Sequence, residues 1–235
     1  LEYKIIIPIE NSLAGRVADI HYLIPKYKLQ IHREHFQKVN HNLLGIKGSK
    51  IEDIKTVRSH SQAIGQCKKI ILNNNLKAIV SADTAGSAKF IAEKKDKTES
   101  AIASNLAAEI YNLEILKTNI EDEQGNVTRF FIMGKELKHP EFKEKKYITS
   151  CIFKLKSIPA ALYKALGGFA TNGVNLVKLE SFSVKNTFDQ VSFYIDIAGH
   201  IEDTSVQKAL EELGFHTEKL DVLGVYEAHK FRFKK

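Results

Sequence analysis

The sequence predicts a chain of the α/β class in two modules. The first, up to about residue 134, reads as an open sheet with parallel neighbours, and the second as an α+β unit of ferredoxin-like order. Two observations carry the first module: KTVRSH is followed by SQAIGQCKKIILNN, and KAIVSAD by TAGSAKFIAEKK, so strand then helix occurs twice in succession. A third carries the second module: after the polar stretch KHPEFKEKKY, strands alternate apolar and polar residues and two well-bounded helices stand between them.

The elements follow in order. KIIIPIEN is an apolar strand that runs directly into Glu10-Asn11-Ser12. In SQAIGQCKKIILNN, Ala63, Cys67, Ile70 and Ile71 share one helical face. SAIASNLAAEIYNL begins as a strand and continues as a helix with Leu106, Ala107, Ile110 and Tyr111 at helical spacing. NVTRFFIMG is a strand after the polar run EDEQGN. Past the linker, SCIFKLKSI alternates, and PAALYKALGGFATNG reads as a helix with Pro159 in its first turn and Gly173 beyond its end. NLVKLESFSV and DQVSFYIDIAG pair through a turn at KNTF. DTSVQKALEELGF is a helix that Asp203, Thr204 or Ser205 can cap and Gly214 closes, and TEKLDVLGVYEA is the last strand.

Composition narrows the function. At 235 residues, with 43% hydrophobic and 27% charged residues, the chain has the make-up of a soluble globular protein. No apolar run is long enough to cross a bilayer and the N-terminus carries no signal-peptide pattern, so no membrane partner is expected. Cys67 and Cys151 have neither metal nor disulfide spacing, which implies reduced thiols in a cytoplasmic protein. The net charge of +7 comes from lysines scattered among glutamates, with clusters at KEKK and KFRFKK outside any nucleic-acid motif. A solvated lysine surface and attraction of a small anion rank above a nucleic-acid partner.

Open α/β sheets bind ligands where strands end and helices begin. PIENS, SHSQAIGQC, SADTAG and NVTRFFIMG occupy such places and supply Asn11, Ser59, Gln66, Thr84, Thr128 and Arg129. These are neutral hydrogen-bonding groups and one guanidinium, suited to an anion, with neither a metal cluster nor a Ser-His-Asp arrangement. Taken singly, each has a structural reading. Ser59 and Asp83 suit helix caps, His60 a packed ring, Asn11 a turn, Thr128 a strand residue and Arg129 a surface charge.

The ordered set PIENSLAGRV, SHSQAIGQC, DTAGSAKFIAE, AAEIYNL and NVTRF resembles prephenate dehydratase, and PAALYKALGGFATNGVNLVKLESFSV resembles the ACT regulatory domain that follows it in that family. The resemblance covers essentially the whole chain. It implies a two-lobed, periplasmic-binding-protein-like catalytic domain over residues 1–137 and a ferredoxin-like ACT domain over 148–228. The implied activity is that of a carbon–oxygen lyase converting prephenate to phenylpyruvate, with loss of carbon dioxide and water, in L-phenylalanine biosynthesis. No cofactor or metal is implied. The Thr-Arg-Phe motif implies Thr128 as the main catalytic residue, with Asn11, Ser59 and Gln66 beside it. Glu10, Ser12, His60, Thr84, Arg129 and Phe130 are the implied substrate contacts.

Family members begin with a further strand and a glycine-rich Gly-Pro-x-Gly-Thr segment, which this sequence lacks; it starts at Leu1. The expectation is an N-terminally truncated chain with an incomplete first lobe. KIIIPIEN would then lack a covering layer, and the chain as it stands would be inactive. In the second module Ala160-Ala161-Leu162 replaces the family's Gly-Ala-Leu, and Glu180-Ser181-Phe182-Ser183 its Glu-Ser-Arg-Pro. The resemblance still implies feedback binding of L-phenylalanine near Ala161, Leu162, Asn172, Val174, Asn175, Leu176 and Glu180, and a homodimer or larger assembly through this module. The alternative is a non-catalytic phenylalanine-sensing descendant of the enzyme.

Overall fold

The computed structural model describes residues 3–17, 20–136, 139–183 and 191–233. Two compact units divide them: one joins residues 1–11, 15–37 and 129–235, and the other joins 12–14 and 38–128. Compactness thus groups segments from both sides of the KHPEFKEKKY stretch in one unit.

The chain runs through β1 (Ile5–Asn11), β2 (Gly15–Arg16), α1 (Ile20–Tyr27), β3 (Gln30–Lys38), β4 (Asn42–Gly45) and a 3₁₀ turn at Ile51–Asp53. It continues through β5 (Thr56–His60), α2 (Ser61–Gln66), α3 (Lys68–Asn73), β6 (Lys77–Ser81), α4 (Thr84–Lys94), β7 (Glu99–Ala103), α5 (Asn105–Ile110) and β8 (Glu114–Lys117). The remainder is β9 (Val127–Gly134), β10 (Tyr147–Leu155), α6 (Ala161–Thr171), β11 (Leu176–Ser183), β12 (Val191–Ala198), α7 (Thr204–His216), β13 (Thr217–Glu227) and a 3₁₀ turn at Lys230–Phe233.

The unit around 38–128 is built on a five-stranded sheet in the order β6-β5-β7-β4-β8. β5 pairs in parallel with β6 and β7, as the strand–helix repetition predicts, whereas β4 pairs antiparallel with β7 and β8. Successive residues of a strand face opposite sides, so Leu43 and Ile102 join Ala63, Cys67, Ile70 and Ile71 in one core. Leu44, Ala101 and Ala103 join Ala88, Ile91, Ala107 and Ala108 in the other. The helix expected over SQAIGQCKKIILNN is two helices broken at Cys67, whose φ of −127° ends the first and opens the second. In α5 the inward residues are Ala107 and Ala108, while Leu106 and Ile110 are exposed. The expected apolar face there is therefore displaced, because a six-residue helix fits its phase to Leu44 and Leu113 rather than to its own largest side chains.

The other unit holds two four-stranded sheets, β2-β1-β9-β3 and β11-β12-β10-β13. The second has the βαββαβ order with antiparallel pairing throughout, a ferredoxin-like arrangement. One of its faces carries α6 and α7, with Cys151, Phe153, Ala165, Phe169, Ile195 and Leu213 between. Its other face meets residues of the first sheet: Ile9, Ile31, Phe131 and Met133 pack with Ile148, Ile152, Tyr194 and Tyr226. KIIIPIEN, expected to lack a cover, is an inner strand here, and Ile9 is 1% exposed. Its start is open to solvent, with Ile6 66% exposed.

Two helix boundaries differ from expectation. Pro159 lies before α6 rather than in its first turn, because Ala160 takes a left-handed conformation, φ 59°, ahead of Ala161. α7 runs through Gly214 to His216 and hands over directly to β13. Of the three candidate caps of α7, Asp203 is the one used, accepting from the Ser205 N–H at 2.9 Å. The KNTF turn lies outside the described residues.

Candidate active site

Three motif segments, distant in sequence, meet within the unit around 38–128. The Ser12 N–H donates to the Val127 carbonyl at 2.9 Å, and the Val127 N–H donates to Ser12 Oγ at 2.9 Å. Ser12 Oγ in turn donates to the Gly125 carbonyl at 2.8 Å. Beside this clasp, Asn126 Nδ2 donates to Gln66 Oε1 at 2.9 Å, and the Asn126 carbonyl accepts from Val39 N–H at 2.8 Å. Gln66 Oε1 also pairs with His41 Nε2 at 2.8 Å, and the Gln66 carbonyl accepts from Asp122 N–H at 2.7 Å. The Asp122 carboxylate accepts from the Lys68 and Lys69 N–H groups at 2.8 and 3.0 Å. That carboxylate satisfies two donors that the first turn of α3 leaves open.

The residues flanking the clasp are Asn11, before Ser12, and Thr128, after Val127. Gln66 and Ser12 fix the three residues that precede Thr128. That is the chemical content of the EDEQGN run: its acids and Asn126 fasten the approach to β9. A short polar loop needs such bonds, because buried backbone groups otherwise lose their partners.

The other expected residues of this unit are placed less directly. Ser59 is fully buried and its hydroxyl donates to the Ile102 carbonyl at 2.7 Å, tying β5 to β7. The cap of α2 is His60 rather than Ser59: its Nδ1 accepts from Gln62 N–H at 3.3 Å, which puts the proton of the neutral ring on Nε2. Thr84 opens α4, whose cap is Asp83, accepting from Gly86 N–H.

Arg129, expected at a substrate, is buried among carboxylates. β9 alternates, so Thr128 and Phe130 are half-buried on one face while Arg129 and Phe131 are buried on the other. The guanidinium, 2% exposed, donates from Nε to Glu34 Oε2 at 2.9 Å and from NH1 to Asp196 Oδ2 at 2.6 Å. Further bonds reach Glu10 Oε1 at 3.2 Å and the Tyr226 hydroxyl at 3.0 Å. Arg232 adds a bidentate pair to Glu34, at 2.7 and 2.8 Å. Asp196 Oδ1 accepts from Ser150 Oγ at 2.6 Å and from Tyr194. Burial alone pushes the Asp196 carboxyl up, but Arg129 and the two hydroxyl donors outweigh it and hold the group below the ordinary carboxylate range. Burial raises Tyr194 and Tyr226 well above the usual phenol range, so both remain donors. Glu10, likewise expected at the substrate, is paired with Arg129 and Lys178.

The residues expected to hold phenylalanine divide between the two faces of the second sheet. Val174 belongs to the helix-side core, and Leu162 and Leu176 pack against it; Ala161 opens α6. Asn172 closes that helix, donating to the Gly168 carbonyl at 2.8 Å and to Glu212 at 2.9 Å. Asn175 is exposed. Glu180 faces the opposite way, pairing with His21 Nε2 at 3.1 Å, Arg16 at 3.4 Å and Lys178 at 3.1 Å. A register shift between Leu176 and Lys178 separates the two sets. The sequence reading missed Glu34, Asp196, Tyr226 and Arg232. Asp196 did carry a signal, an acid amid the apolar run of FYIDIA.

The family model for prephenate dehydratase matches residues 2–138. The chain belongs to the prephenate dehydratase family. A bifunctional N-acyl-homoserine lactone acylase/prephenate dehydratase of Komagataeibacter europaeus is 44% identical over 96% of this chain and 80% of its own length. A prephenate dehydratase of Methanocaldococcus jannaschii is 39% identical over 94% of the chain and 80% of its own length. Among solved structures, the Arthrobacter aurescens prephenate dehydratase in complex with L-Phe superposes with a TM-score of 0.85 at 30% identity, covering 96% of this chain and 75% of that one. The clasp at Val127 lies directly before Thr128-Arg129-Phe130. Among the described residues no helix is long and apolar enough to cross a membrane, and no cluster of three metal-ligating side chains occurs.

Proposed function

We propose that the chain catalyses the decarboxylating dehydration of prephenate to phenylpyruvate, with the Thr128 hydroxyl as proton donor. The observation that supports this best is the meeting of Ser12, Gln66 and Asn126-Val127 directly before Thr128. In the reaction, the bond from the ring to its carboxylate breaks and releases carbon dioxide. The electron pair enters the ring and expels the C4 hydroxyl, which leaves as water after taking a proton. Aromatisation drives the step, so the protein has to orient the dianion and supply that proton. With Arg129 and Glu10 committed to each other and to their neighbours, Asn11, Ser12, His60, Thr84 and Phe130 remain as the proposed substrate contacts. Ser59 and Gln66 act by holding strands and loop in place.

L-phenylalanine is the proposed feedback effector, bound by the ferredoxin-like ACT module over 148–228, and pairing of such modules is proposed to make a cytoplasmic homodimer or larger assembly. The catalytic part is proposed as residues 1–137. The test is phenylpyruvate formation by the purified chain. Thr128→Ala is expected to lower kcat by about 10²–10⁴-fold. Absence of turnover with L-phenylalanine heats intact in calorimetry would favour the non-catalytic sensor instead. The 44% identity with the bifunctional acylase supports a second reading, hydrolysis of the amide of an N-acyl-homoserine lactone. Release of free homoserine lactone and fatty acid, followed by mass spectrometry, tests it.

A further inference from the structure

We propose that Asp196 is a positioning residue for Thr128, acting through Arg129. The inference rests on the reading of Thr128 as the proton donor. Neighbouring strand residues point to opposite faces, so any roll of β9 that re-aims Thr128 also swings Arg129. Arg129 is held at several points, but the points differ in what they fix. Glu10 lies on β1 and Glu34 on β3, the strands on either side of β9 in the same sheet. Those bonds move with the sheet. Asp196 on β12 and Tyr226 on β13 belong to the facing sheet, and among the described residues these two hydrogen-bond partners set the guanidinium against a second frame.

Asp196 is built for that task. One carboxylate oxygen takes Arg129 NH1 at 2.6 Å, and the other takes Ser150 Oγ at 2.6 Å and the Tyr194 hydroxyl. Ser150 also meets the Tyr226 hydroxyl at 2.7 Å, so the carboxylate is fixed from its own sheet before it receives the guanidinium. A well-packed apolar filling between two sheets is at least as stable as a buried ion pair, so stability alone does not account for this cluster. Orientation does: two directional contacts across the sheets fix the roll of the strand that carries Thr128.

The experiment uses Asp196→Asn, which keeps the shape and removes the charge, and Tyr226→Phe as a milder second variant, both in the full chain. On prephenate, Asp196→Asn is expected to lower kcat by roughly 10²-fold with KM unchanged, as for a displaced catalytic group. In a Thr128→Ala background the same change is expected to have no further effect. A general loss of folding would act equally in both backgrounds, and that result overturns the proposal. A readout independent of turnover accompanies it. In threonine-methyl-labelled protein, the Thr128 signal, identified by its disappearance in Thr128→Ser, should shift in Asp196→Asn while those of Thr56 and Thr84 stay. A wild-type chain without turnover would refute the proposed reaction and leave the methyl signal to decide the positioning role. A Thr128 signal unmoved in both variants refutes that role.

Discussion

Gly224 and Ile31 meet backbone to backbone: a Cβ built on Gly224 would stand 2.2 Å from the Ile31 carbonyl oxygen and 2.9 Å from its Cβ. β13 and β3 belong to the two sheets of one unit, so this glycine sets how closely they approach. Neither partner can yield as a flexible side chain would. Gly224→Ala is expected to destabilise the protein by about 1–3 kcal/mol, the range for overpacking a fitted core. A urea denaturation midpoint equal to that of the wild type would show that the sheets are not held at this distance.

Removing the guanidinium between those sheets is the harsher change. Arg129→Met leaves Asp196 and Glu34 buried, with Arg232 the one cation still paired with them among the described residues. The expected loss is about 3–5 kcal/mol, because one member of a buried pair is then uncompensated. Adding Asp196→Asn to Arg129→Met should restore part of it by removing the stranded charge. If the double variant is less stable than the single one, charge balance between Arg129 and its carboxylates is not what holds the cluster.

How much of this was legible in the sequence depended on whether one segment carried its own signal. β5, β6, α4 and α7 were, because alternation, helical spacing and capping acids such as Asp83 and Asp203 act within a few residues. β3 was not: in QIHREHFQK only Ile31 and Glu34 are buried, and an acid at an inward position breaks the apolar alternation. Glu34 is tolerated there because Arg129, distant in sequence, and Arg232, more distant still, supply its charge. The same holds for the site. PIENS, SHSQAIGQC and NVTRF name the segments that meet, but not that Gln66 binds Asn126 or that Arg129 turns to the facing sheet.

The thiols offer a direct check of the cores. Cys67 lies in the break between α2 and α3, fully buried, and burial, with Asp122 and Glu121 nearby, pushes its thiol up to about 12. Cys151 is buried on β10 and raised further by the same cause. Since the thiolate is the reactive form, neither is expected to react with a disulfide reagent in the native protein at neutral pH. Both should titrate in guanidinium. Rapid native labelling of Cys67 would mean that the packing of α2 against α3 opens readily.

His21 should give the protein a pH-dependent stability above the carboxylate range. The ring is 2% exposed, stacked on Tyr194 at 4.4 Å and 10°, with Nε2 against Glu180 at 3.1 Å. Burial lowers its pKa from the ordinary 6.5; the Glu180 bond and charge oppose this without overcoming it, and Lys178 and Arg16 lower it further. The folded protein therefore takes up this proton at lower pH than the unfolded chain. Where the unfolded state binds more protons, stability rises with pH. The contribution of His21 is thus complete above its unfolded pKa, declines as the pH falls through about 6.5, and levels off below the folded value. The urea midpoint should fall from about pH 7 to pH 5, and His21→Gln should flatten that slope. Glu180 is separable because its own pKa lies below 4.5, so its loss begins at more acid pH. His139 is lowered as well, by burial first and then by His200, and His139→Gln supplies the control. An undiminished slope in His21→Gln, with a reduced one in His139→Gln, would transfer the effect to the second ring.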